Sequence, residues 1–70
     1  MSEPISLQIN GELRDCPAGL NLPDLLRSLG LEPRLVAVEY NGEILHRQFW
    51  ENTQPATGDR LEIVTIVGGG

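Results

Sequence analysis

Ile5, Leu7 and Ile9 alternate with Ser6 and Gln8, the period-two pattern of a strand buried on one face. Asn10-Gly11 follows. Both central positions of a two-residue hairpin turn need positive φ, which this dipeptide tolerates, so the run from Glu12 to Cys16 is predicted to pair antiparallel with the first strand. Beyond Pro17 and Gly19 the period changes. Leu22, Leu25, Leu26 and Leu29 recur at i, i+3, i+4 and i+7, one apolar stripe of a helix of about eight residues. Asn21 is placed to cap it, Pro23 suits its first turn, Asp24 complements the positive end of its dipole and Gly30 stops it. A helix this short is marginal alone, so its leucines must lie on the sheet.

Residues 35–40 form an apolar run rich in β-formers, closed by a second turn signal at Asn41-Gly42 and continued by Glu43-Ile44-Leu45; these predict a third strand and a short fourth. Residues 46–57 show no sustained period. They are expected to wrap the surface with one short helical turn, anchored by the rings of Phe49 and Trp50. Gly58-Asp59 then turns into residues 60–67, the longest β-forming run and the expected central strand. This order of elements predicts an α+β fold of the β-grasp, or ubiquitin-like, type: a mixed sheet of four to five strands with one main helix packed on one face. Residues 1–67 form the single expected domain, and residues 68–70 a flexible glycine tail.

The chain has 70 residues, too few for two hydrophobic cores. Ten acidic against five basic residues give a net charge of −5, which opposes binding to a phosphate backbone and argues against nucleic acid. Every basic residue is an arginine, so no lysine amine is present to receive an acyl group. One cysteine, Cys16, and one histidine, His46, cannot build a structural zinc site or hold an iron–sulfur cluster, and no internal disulfide is possible. No apolar run nears the ~20 residues of a membrane span, and the N-terminal stretch lacks the marks of a signal or transit peptide. A cytoplasmic protein that binds no membrane, and is a monomer when free, is expected.

Gly68-Gly69-Gly70 follows directly on the last strand. Ordering three such residues against a partner costs roughly 3–6 kcal/mol, which roughly 120–240 Å² of apolar surface buried elsewhere would offset. Alternation supplies a place for that surface. With Leu61 and Ile63 facing the core, Val64 and Ile66 turn outward beside Glu62, next to the root of the tail. The triglycine reads either as a frayed end or as a peptide thin enough to thread a narrow channel, where the Gly70 carboxylate has no side chain beside it to hinder attack. A carboxylate is inert to nucleophiles at neutral pH, so on the second reading a partner must first convert it to an acyl adenylate with ATP.

The stretch VAVEYNGEIL (36–45), the aromatic Trp50, GDRLEIVTIVGGG (58–70) and the helix segment Asp24-Leu25-Leu26 together resemble the ThiS sulfur carriers of thiamin biosynthesis over essentially the whole chain. His46 departs from the family, which often has proline there. The resemblance implies that a ThiF-like enzyme adenylates Gly70, that a cysteine desulfurase persulfide supplies sulfur to give a thiocarboxylate, and that a ThiG-like thiazole synthase takes it. The chain would then be a cosubstrate and not an enzyme, binding no cofactor itself; ATP belongs to the activating enzyme. Gly68, Gly69, Glu62, Val64 and Ile66 would meet the partner. Two alternatives remain open: a sulfur carrier for molybdopterin synthesis, and a passive ubiquitin-like interaction module. Elsewhere, Cys16 reads as a small buried apolar residue and His46 as a loop residue. Glu39, Glu43, Glu51, Asp59 and Glu62 read as a solvated acidic face that steers the chain toward a basic partner surface. Tyr40 and Trp50 read as packing anchors.

Overall fold

Strands and a helix form where the hydrophobic periods place them. The computed structural model describes residues 3–66. Strands β1 (Ile5–Ile9) and β2 (Glu12–Cys16) make an antiparallel hairpin with Ile9 opposite Glu12. The turn between them has φ of 52° at Asn10 and 85° at Gly11, the two positive values of a type I′ turn. In helix α1 (Leu22–Ser28) the Asn21 side chain accepts from the Asp24 backbone N–H at 3.0 Å. The helix has seven residues, one fewer than expected, because Leu29 is its cap. Gly30 follows at φ 82°, its N–H donating to the Arg27 carbonyl while the Leu31 N–H reaches back to Leu26. That is a Schellman ending, which glycine permits.

Strands β3 (Val36–Tyr40), β4 (Glu43–Ile44) and β5 (Arg60–Thr65) complete a sheet of order β2-β1-β5-β3-β4. Strand β5 is central, parallel to β1 and antiparallel to β3. Leu22, Leu25 and Leu26 of α1 cluster with Leu7, Val38 and Leu61 of the sheet, all buried. A mixed five-stranded sheet with one main helix on one face is the β-grasp arrangement. Among the described residues no helix is long and apolar enough to cross a membrane.

Three further boundaries and one anchor differ from the sequence expectation. Leu35 belongs to a 3-10 turn (Pro33–Leu35) and not to β3; Pro33 fixes a helical φ at its start, and the Glu32 side chain and carbonyl accept from the Arg34 and Leu35 backbone N–H groups. Leu45 lies just beyond β4: its N–H still donates to the Val38 carbonyl at 3.0 Å, while its carbonyl accepts from the Trp50 indole N–H at 2.9 Å. A second 3-10 turn (Arg47–Asn52) occupies the expected helical turn, but only Trp50 anchors it: Trp50 is 3% exposed and Phe49 is 49% exposed. At three residues per turn, neighbours point about 120° apart, so both rings cannot enter the core. Strand β5 ends at Thr65; one more bond, Ile66 N–H to the Leu35 carbonyl at 2.8 Å, extends its pairing. Val67 and the expected tail, Gly68 to Gly70, lie outside the described residues.

Candidate functional site

The face of the sheet opposite α1 carries Glu62, Val64 and Ile66, three of the five residues singled out for partner binding. Leu61 and Ile63 are buried beneath the helix, while Glu62, Val64 and Ile66 are exposed, the last two at 57% and 52%. Antiparallel pairing places Ala37 opposite Val64 and Glu39 opposite Glu62. It also places Ile44, 69% exposed, opposite Glu39. The Ile66–Leu35 bond sets Leu35, also exposed, beside Ile66. An apolar patch of Leu35, Ala37, Ile44, Val64 and Ile66 therefore adjoins the place where the chain leaves β5, with two glutamates at its far end. Leu13 shares this face but is separated from the patch by Gln8 and Arg60.

Sequence reasoning missed Leu35, Ala37 and Ile44. The signal for Ile44 was present: a two-residue Asn41-Gly42 turn forces Tyr40 against Glu43 and Glu39 against Ile44, which puts Ile44 on the face opposite the core.

Polar ties hold this face in register. The Asp59 carboxylate accepts from the Tyr40 hydroxyl, from Asn41 Nδ2 at 3.2 Å and from the Ala56 backbone N–H at 2.9 Å. Asn41 in turn accepts from the Arg60 N–H at 2.8 Å, so the turns before β4 and β5 are locked together. Burial acts to raise the Asp59 pKa, but the bonds from Tyr40, Ala56 and Asn41 outweigh it and hold the carboxyl below its usual range. The Tyr40 hydroxyl is pushed up to about 12, by burial first and then by its bond to Asp59 and that group's charge. Asn10 supplies a further tie. Its amide accepts from the Ile63 N–H at 2.7 Å and donates to the Ile63 carbonyl at 3.2 Å, replacing a strand neighbour for β5 where β1 has ended. Near the last paired residue, the Arg47 guanidinium donates to the carbonyls of Pro33 at 2.6 Å and Val36 at 2.9 Å while lying 4.5 Å over the Trp50 ring. This holds the turn whose Leu35 carbonyl receives Ile66.

The other candidates are placed as packing or surface groups. Cys16 is 1% exposed and its thiol pKa is raised, chiefly by burial. His46 is exposed at the start of the second 3-10 turn. Glu39, Glu43, Glu51 and Glu62 are exposed, whereas Asp59 is tied down as described. Among the described residues no group of three or more His, Cys, Asp or Glu is gathered to hold a metal ion. Gly68, Gly69 and Gly70, the expected reactive segment, lie outside the described residues. The described part of the molecule thus presents an exposed apolar face where the chain leaves β5.

The sequence model of the ThiS family matches residues 7–70. A protein named sulfur carrier protein ThiS from Bacillus subtilis is 41% identical over 49 residues, covering 70% of this chain and 74% of that one. A thiazole synthase from Paramagnetospirillum magneticum is 42% identical over 66 residues; the match covers 94% of this chain and 20% of that much longer protein. Among solved structures, the thiamine biosynthesis protein (ThiS) of Geobacter metallireducens superposes with a TM-score of 0.79 at 33% identity, covering 94% of this chain and 100% of that one.

Proposed function

The chain belongs to the ThiS family, the sulfur carriers of thiamin biosynthesis, and from that membership we propose that Gly70 is the atom-transfer end of the carrier. A ThiF-like enzyme binds the open sheet face and draws the glycines into its nucleotide site. A Gly70 carboxylate oxygen attacks the α-phosphorus of ATP, releasing pyrophosphate and leaving an acyl adenylate. A persulfide sulfur, supplied through a cysteine desulfurase, then attacks the acyl carbon and displaces AMP. A thiol cleaves the resulting S–S bond, and the thiocarboxylate passes to a ThiG-like thiazole synthase for thiazole phosphate formation.

The observation that carries this reading is the family match, which runs through Gly68-Gly69-Gly70. The chemistry agrees with it. Glycines lack a Cβ, so the backbone can approach a nucleotide closely, and a thiocarboxylate is a far better nucleophile than the carboxylate it replaces. The apolar patch at the end of β5 supplies the binding surface that offsets ordering of the glycines. The thiazole synthase that contains a similar stretch supports a ThiG-like acceptor over the molybdopterin alternative. On this reading the protein is a cosubstrate that works in the cytoplasm and needs no resident cofactor.

ATP–pyrophosphate exchange with a ThiF-type enzyme tests the first step. The intact chain should support exchange; deletion of Gly70, or Gly69→Trp, should abolish it while the circular dichroism spectrum and melting temperature stay unchanged. Exchange that survives both changes would contradict the proposed threading.

A further inference from the structure

Glu39 and Glu62 face each other directly across β3 and β5. The flanking bonds, Asn41 N–H to the Arg60 carbonyl and Ile66 N–H to the Leu35 carbonyl, show that this is a hydrogen-bonded pair, in which opposite Cα atoms lie about 5.5 Å apart. Both side chains stand on the open face, and like charges directly opposite each other destabilise a sheet. Among the described residues the ion pairs are Arg27 with Asp24 and Arg34 with Glu32, so neither glutamate is neutralised by a described residue. Arg60, two residues along β5 on the same face, forms no ion pair with either.

These glutamates border a groove of about 190 Å³ whose other lining residues are Ala37, Val38, Ile44 and Val64. Apolar walls with an anionic rim match a long basic side chain, which has an aliphatic stem and a charged head. A phosphate-bearing surface is repelled by the same pair, and a purely apolar partner would bury two unpaired charges. Resting on the carrier reading above, we propose that this groove receives a basic side chain of the adenylating enzyme, its stem against Ala37, Ile44 and Val64 and its cationic head between Glu39 and Glu62. A planar arginine guanidinium, which can face two carboxylates at once, suits the position best. The repulsion carried by the free protein is relieved only in the complex, so the acid pair favours binding at the expense of the isolated fold.

Steady-state ATP–pyrophosphate exchange with a ThiF-type enzyme, run as a function of carrier concentration and of NaCl, tests this. For the Glu39→Gln, Glu62→Gln double variant, KM for the carrier should rise about tenfold or more. Its kcat at saturation should stay the same, its KM should depend less on salt, and its melting temperature should equal or exceed that of the parent. Ile44→Ser should raise KM without flattening the salt dependence. Glu12→Gln, at the start of β2 opposite the buried Ile9, removes the same kind of charge on the other side of the sheet and should leave KM within twofold. A double variant with KM within twofold of the parent overturns the groove while leaving the carrier reading intact, as does an equal rise in KM for Glu12→Gln. Failure of the parent chain to support exchange at any concentration overturns the carrier reading and this inference together.

Discussion

Replacing Asp59 with alanine removes the acceptor that joins Tyr40, Asn41 and Ala56. Hydrogen bonds to charged groups contribute about 1.5–3 kcal/mol each when protected and less when exposed. Of the three, the Tyr40 bond is partly buried and the other two are exposed, so the sum expected is about 2–3 kcal/mol. In a domain of this size 1 kcal/mol shifts the melting temperature by about 4–8 °C, and Asp59→Ala should therefore melt roughly 10–20 °C below the parent at pH 7. The pH dependence gives a second handle. The Asp59 carboxyl has a folded pKa below its ordinary value of 3.8; its contribution is present above that value and is lost as pH falls through the folded pKa. Thermal melts followed by circular dichroism should show the gap between parent and variant wide at pH 7 and narrowing toward pH 2. A gap under 3 °C at pH 7, or one that widens on acidification, would refute the assignment of Asp59 as the lock between these turns.

The remaining predictions probe packing and docking. Trp50→Ala should cost about 3–5 kcal/mol and leave the chain largely unfolded, whereas Phe49→Ala should stay within about 0.5 kcal/mol of the parent in urea titrations; equal losses would mean that Phe49 shares the anchoring. Val64→Asp and Ile66→Asp should each weaken binding to a ThiF-type enzyme in calorimetric titration while shifting the melting temperature by no more than a few degrees, because both side chains are already exposed. The Cys16 thiol, buried and raised in pKa, should react with a disulfide reagent only at the rate of global opening, and so much faster in denaturant.

What the sequence reveals and what it hides divide along contact range. The alternation of Ile5, Leu7 and Ile9, the stripe of Leu22, Leu25, Leu26 and Leu29, and the two Asn-Gly turns are local signals, and each element they predict is present. The exposure of Val64 and Ile66 followed from period two alone once Leu61 was assigned to the core. Hidden features depend on residues far apart in the chain. Asn10 clamps Ile63 across 53 positions and Tyr40 reaches Asp59 across 19, and neither pairing leaves a periodic trace. Leu35 looks like a strand residue because it is apolar and precedes Val36. Its place in a 3-10 turn is decided by Pro33, by the Glu32 cap and by Arg47 bonding to the Pro33 and Val36 carbonyls. Phe49 and Trp50 look equivalent in composition; only the tighter turn, with the Trp50 indole bonded to the Leu45 carbonyl, separates them.

The β-grasp serves this function by what it leaves uncovered. The helix occupies one face, so the opposite face of β3 and β5 stays free to dock, and the chain leaves β5 beside the apolar patch of Leu35, Val64 and Ile66. Under the proposed function, affinity comes from this face and the glycines serve by their thinness. On the same reading, such a division lets a chain of 70 residues present its reactive end to a partner.

Intact-mass spectrometry is the most direct test of sulfur carriage. The purified chain is incubated with ATP, a ThiF-type enzyme, a cysteine desulfurase, cysteine and a thiol reductant. Its mass should rise by the difference between sulfur and oxygen, with fragmentation placing the change on Gly70; an unchanged mass under conditions in which a known carrier is converted would contradict the account.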